Sequence, residues 1–139
     1  MGQIIDIRDT IPKHKTRIWD HRQTADTIVV HETASNNQDP NKTALYHVTP
    51  SLKNLLSKLG APGLAYADFI TKVGDVYHCN DYTDITWHAG QYNTRSIGIC
   101  LAYMSQDEFG KDTIAPTEEQ MYTLEEHLTL LCLNLKILP

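Results

Sequence analysis

Two histidines stand where their chemistry could be used. His31 closes the short β-branched run Ile28-Val29-Val30, and His88 lies in Thr86-Trp87-His88-Ala89-Gly90, with Asn93 and Ser96-Ile97-Gly98-Ile99 close behind. An imidazole at a strand's end is carried on a stiff backbone, which can aim a ring nitrogen at a metal cation. Other donors are less apt. His78 and Cys79 are neighbours on a predicted strand, so alternation sends them to opposite faces and they cannot both reach one ion. Cys79, Cys100 and Cys132 are odd in number, widely spaced and form no Cys-x-x-Cys pair, which argues for reduced thiols rather than a disulfide framework or a zinc ribbon.

The elements that must position these side chains are legible in the pattern. Gln3 to Ile7 reads as a short edge strand, and Ile28 to His31 as a buried strand because its apolar run is continuous. Asp39-Pro40 supplies an N-cap and a first helical residue. Thr49-Pro50 repeats that signal and leads into Leu52, Leu55, Leu56 and Leu59, a spacing that predicts another helix packed on the sheet and stopped by Gly60. Ala67 to Lys72, the turn Val73-Gly74-Asp75, and Val76 to Cys79 predict a hairpin, and Ile97 to Tyr103 a third strand nearby. Thr117 and Gln120 form a capping box for a last helix with the stripe Met121, Leu124, Leu128, Leu131 and Leu135. This order predicts an α/β fold with a mixed central β-sheet flanked by helices.

Composition bounds the function. A chain of 139 residues with 41% hydrophobic content fits one domain, here expected to be a monomer. A net charge of −5 argues against an electrostatic grip on nucleic acid or an anionic membrane, so the substrate should be held by shape and hydrogen bonds. No apolar stretch approaches the roughly 18–20 residues of a membrane span, so no membrane insertion is expected. The start Met1-Gly2-Gln3-Ile4-Ile5-Asp6 lacks the regions of a signal peptide, and the expectation is cytoplasmic synthesis.

Five ordered segments carry a resemblance. His31 at its strand end, Val73 to Tyr77, Trp87-His88-Ala89, Asn93 to Leu101, and Pro116-Thr117-Glu118-Glu119-Gln120-Met121 resemble the motifs of zinc-dependent N-acetylmuramoyl-L-alanine amidases of type 2, the family shared by phage lysozymes and peptidoglycan-recognition proteins. The match runs from about Thr27 to the end. It implies a peptidoglycan hydrolase of endolysin type that cuts the amide between N-acetylmuramic acid and the L-alanine of the stem peptide, reaching the cell wall after release or export. A non-catalytic peptidoglycan-binding or regulatory module is the alternative. In such enzymes zinc on three protein ligands keeps a position for water, whose pKa it lowers to about 7, and polarises the carbonyl to be cut.

Residue by residue, the resemblance makes His31 the first zinc ligand. The other two, a histidine and a cysteine or aspartate, belong to a segment after the last helix and are expected beyond Pro139, so residues 1–139 are expected to be an amidase-like domain incomplete at its C-terminus. His88 reads as a substrate contact, with metal ligation or a structural hydrogen bond as alternatives, and Asn93 as a substrate contact or a turn-former. The family's proton-handling tyrosine lies two residues before the strand phenylalanine, where this chain has Ala67. Tyr66, one step earlier, takes that catalytic role only if a bulge re-aims it. Asp68 is expected to be structural and Cys100 a small buried hydrophobe. Gly98 implies a close approach, by a strand or a ligand, and Glu32 is a group supporting His31 or a solvated residue.

Overall fold

The computed structural model describes residues 2–138. Along the chain run β1 (Ile4–Asp6), β2 (Asp20–His21), β3 (Thr27–Glu32), α1 (Pro40–Val48), β4 (Asp68–Ile70), β5 (Val76–His78), β6 (Asp84–Ile85), a 3-10 turn (Gly90–Tyr92), β7 (Ser96–Leu101) and α2 (Glu118–Leu135). The predicted hairpin is present: β4 and β5 pair antiparallel with Asp68 opposite His78. Gly74 turns it at φ 87°, a conformation a side chain would oppose. The remaining pairings in that sheet are parallel, giving the order β1-β5-β4-β7-β3 and the expected mixed sheet. Strands β2 and β6 form a separate antiparallel pair.

Each face of the sheet has its own helix. On one side Ala44 of α1 packs with Leu64, Phe69, Cys79, Cys100 and Ala102. On the other, Leu124 and Leu131 of α2 meet Ile70, Val76, Ile97, Ile99 and Leu101. Local chemistry starts both helices where the pattern places them. The Asp39 side chain accepts from the Asn41 amide with Pro40 next in line, and both halves of the Thr117–Gln120 capping box form. Gln120 does more than cap: its amide also donates to the Ile70 and Ala102 carbonyls, stapling α2 to β4 and to the end of β7.

Three expectations fail in instructive ways. Strand β3 is not buried; it is an outer strand of the sheet, bonded to β7 alone, and Val30 is 41% exposed. A continuous apolar run marks two half-covered faces as readily as two buried ones. The helix predicted from Leu52 to Leu59 does not form, because Asn54 takes its place at the end of α1. The Asn54 amide donates to the carbonyls of Tyr46, His47 and Thr49, and its side-chain oxygen accepts from the Leu56 and Ser57 amides. Those bonds satisfy carbonyls that α1 leaves free and fold the segment into a loop whose leucines point outward. Finally, α2 buries only the middle of its stripe: Leu124 and Leu131 are inside and Leu128 is partly covered, whereas Met121 and Leu135 are exposed.

Candidate active site

Strand register builds the site one row at a time. His31 is paired with Cys100, Cys100 with Phe69, and Phe69 with Tyr77, so these four form one row on the α1 face of the sheet. His31 is the outermost member and is half-buried. One row back, Val29 is paired with Gly98, and here the missing side chain matters. A Cβ on Gly98 would lie 2.6 Å from the His88 ring, so the close approach implied by this glycine is made by that imidazole. Held there, His88 places Nδ1 2.8 Å from Nε2 of His31.

The proton on each ring follows from its neighbours. His88 Nε2 lies 3.3 Å from the Ser96 carbonyl, which can only accept, and 3.2 Å from Ser96 Oγ, which already donates to the Tyr92 carbonyl. His88 therefore donates through Nε2 and accepts through Nδ1 from the Nε2–H of His31. That leaves the Nδ1 lone pair of His31 without a hydrogen-bond partner among the described residues. Burial holds both rings neutral at pH 7, lowering His31 below the ordinary histidine value and His88 to about 4.

Tyr66 completes the cluster, its ring centroid 5.4 Å from that of His31. The re-aiming it requires is there. The Ala67 carbonyl accepts from both the Cys79 and Asn80 amides, a bulge whose extra residue lies on the neighbouring strand, and Tyr66 itself sits in a bend just before β4. The side-chain alternation shifts by one at this point: Ala67 packs with the α2-side core, while Tyr66 joins Phe69 and Cys100 on the α1 side. Burial, reinforced by the nearby Cys100, pushes the phenol up to about 12, so Tyr66 keeps its proton at neutral pH.

Side chains that sequence reasoning did not single out hold this arrangement. Trp19 donates to Asn80 Oδ1, and the Asn80 amide donates to the Leu64 and Tyr66 carbonyls, fixing the backbone that carries the tyrosine. Trp19 also meets Trp87 edge-on at 5.5 Å, and Arg17 lies 5.0 Å over the Trp87 ring, next to His88 in sequence. Arg22 bridges the Asn93 and Tyr82 carbonyls. The His47 ring of α1 lies tilted 6.0 Å from that of Tyr66, accepts the Ala65 amide at Nδ1, and is held by burial at about 4. Its only sequence signal was a histidine on the inward side of a capped helix.

Asn93 and Glu32 have defined local partners. Asn93 Oδ1 accepts from the His88 and Ala89 amides, which shapes the turn before β7. The Glu32 carboxylate accepts from the Ser105 amide and hydroxyl, tethering the chain beyond β7. Asp68 is buried on the α2 face, accepting from His78, His127 and Tyr82. His78 and Cys79 do face opposite ways, toward Asp68 and toward the α1-side core. A cavity of about 510 Å³ lined by Arg8, Lys13, Arg17, Trp19 and Asn80 lies apart from the cluster, with none of His31, Tyr66 or His88 in its wall.

The profile of the family described as "N-acetylmuramoyl-L-alanine amidase", Amidase_2, matches residues 20–139. The chain belongs to that family. Solved structures agree on the fold. It is similar to the N-acetylmuramoyl-L-alanine amidase LysC from Clostridium intestinale URNW, with TM-score 0.75 and 23% identity over 99% of this chain and 79% of that one. It is similar to Drosophila PGRP-LB, with TM-score 0.75 and 18% identity over 100% of this chain and 79% of that one. A third likeness is to the Ph2119 endolysin from the Thermus scotoductus MAT2119 bacteriophage Ph2119, with TM-score 0.67 and 18% identity over 97% and 82%. Among curated proteins nothing matches.

Family membership raises the question of zinc, and the donor set answers part of it. Among the described residues no group of three or more His, Cys, Asp or Glu is placed to hold a metal ion. His31 offers one unshared nitrogen, and its imidazole neighbour is turned to hydrogen-bond rather than to ligate. The residues present do not by themselves make a zinc site.

Proposed function

We propose that this chain carries the substrate-facing part of a peptidoglycan amidase of endolysin type, cutting the bond between N-acetylmuramic acid and the L-alanine of the stem peptide. One observation carries the reading: in a member of the amidase family, two neutral imidazoles and a protonated phenol, brought from three separate segments, meet at the end of β3 with a nitrogen lone pair unused. His88 orients His31 and fixes its tautomer. Tyr66 holds a proton where an amide oxygen or a departing nitrogen would need one. Asn93 shapes the turn that presents His88. His31 is proposed as the first of three zinc ligands, with the two others supplied from outside the described residues. Peptidoglycan is the proposed partner.

Incubating purified sacculi with this chain, and with its longest natural form, tests the proposal. The expected products are stem peptides with new L-alanine amino termini and no new reducing sugar ends, and new reducing ends would instead assign a glycosidase. Zinc per chain, measured on the same two samples, should approach one only where a full ligand set is present.

A second reading has its own support in a similar structure, the ectodomain complex of PGRP-LCa and PGRP-LCx bound to tracheal cytotoxin. A peptidoglycan-binding module would retain muropeptide binding and release nothing from sacculi. The same assay separates the two.

A further inference from the structure

The net charge of −5 conceals a lopsided surface. Residues 10–19 and 41–67 contain six of the twelve Lys and Arg and none of the seventeen Asp and Glu. These two segments are joined in space, and Asp9, Asp81 and Asp84 line the groove beside Lys13 and Arg17, so the basic character is strongest on the loop that carries Lys53 and Lys58. His14 Nε2 donates to the Leu59 carbonyl, and Arg17 reaches Ser57 Oγ and the Gly60 carbonyl. The shared surface is also apolar: Leu52, Leu55 and Leu59 are 84, 92 and 69% exposed, and Ile18 is 82% exposed. Lys53 and Lys58 are interleaved with the leucines and exposed.

This loop is built to present those side chains. Asn54 is buried and pinned to the end of α1, the Ser51 amide donates to the Lys58 carbonyl, and the Tyr46 hydroxyl donates to the Lys53 carbonyl. The hydrogen bonds close the loop's neck and leave the leucines outside. Exposing three leucines on a braced loop is costly unless something apolar meets them.

The geometry points to the surface of a bilayer containing anionic phospholipid as the partner of this loop. Leucine side chains enter the boundary between headgroups and acyl chains while neighbouring lysines stay at the phosphate level, a division that matches the interleaving here. Each lysine near such a surface adds about fivefold to binding. The association is peripheral, since no helix among the described residues is long and apolar enough to cross a membrane. It also reverses what net charge alone implied, because a bilayer feels the nearest patch within a screening length rather than the sum over the molecule.

Flotation of the purified protein with vesicles of phosphatidylcholine, alone or mixed with phosphatidylglycerol, tests this independently of any action on the wall. The protein should float with the mixed vesicles and not with phosphatidylcholine alone. The triple variant Leu52→Ser/Leu55→Ser/Leu59→Ser should bind at least about tenfold more weakly with its urea midpoint unchanged, and Lys53→Gln and Lys58→Gln should each cost about fivefold. Three results would overturn the inference: no flotation at low salt, binding lost with the lysines but indifferent to the leucines, which would assign a soluble anionic polymer, or a dimer in solution that the leucine changes dissolve while vesicles are ignored.

Discussion

The two faces of the sheet carry clusters of nearly the same composition that are put to different ends. On the α1 face stand His31, His88 and Tyr66; on the α2 face, His78, His127 and Tyr82 surround Asp68. The difference is one carboxylate. Asp68 accepts from both imidazoles at 2.6 Å and from the Tyr82 hydroxyl at 2.8 Å, so the second cluster has its donors absorbed and sits buried under α2. Hydrogen bonds from His127 and His78 keep the Asp68 carboxyl below its ordinary value against the opposing pull of burial. The first cluster has no carboxylate, which leaves a lone pair on His31 and a proton on Tyr66 available to a ligand. Two histidines and a tyrosine make a strut when a buried anion saturates them and a reactive site when nothing does.

Substitutions should separate these roles cleanly. In a form that carries the full ligand set, His31→Ala is expected to bring stem-peptide release from sacculi below detection while changing the urea unfolding free energy by under about 1 kcal/mol; a comparable loss of stability would make it a strut after all. Asp68→Ala should do the reverse to the fold, costing about 3–5 kcal/mol because it strips the acceptor from three donors, His127 buried and His78 and Tyr82 partly so, as read by urea denaturation. Tyr66→Phe removes only the hydroxyl, and about a hundredfold loss of turnover with unfolding nearly unchanged is expected. If turnover holds, Tyr66 belongs with the packing residues. Gly98→Ala drives a methyl group against the His88 ring and should cost about 1–3 kcal/mol together with activity.

The last effect is a pH dependence, spread over more than two pH units. His47 resists protonation down to about 4 in the folded chain but takes a proton near 6.5 once unfolded. Between those values the unfolded state binds more protons, so stability falls as pH drops from 6.5 toward 4 and is insensitive to this group above 6.5. The buried His47 contributes about 2–3 kcal/mol to that slope, and His88, more open to solvent, less. Urea midpoints of the parent and of His47→Gln across pH 4–7 measure it; parallel curves would remove His47 as a source.

What the sequence alone determined is what neighbours along the chain decide. The caps of both helices and the glycine turn of the hairpin rest on contacts within a few residues, so residue type reports them directly. Tertiary structure decided the rest. His31 and His88 are 57 residues apart and meet because Gly98 leaves space. Tyr66 faces them because the chain bends just before β4 and sends Ala67 to the opposite face. The leucines of 52–59 read as a helix until Asn54 spends its side chain on the carbonyls of α1. Each of these depends on which distant group fills a vacancy, and a periodic pattern holds no record of that.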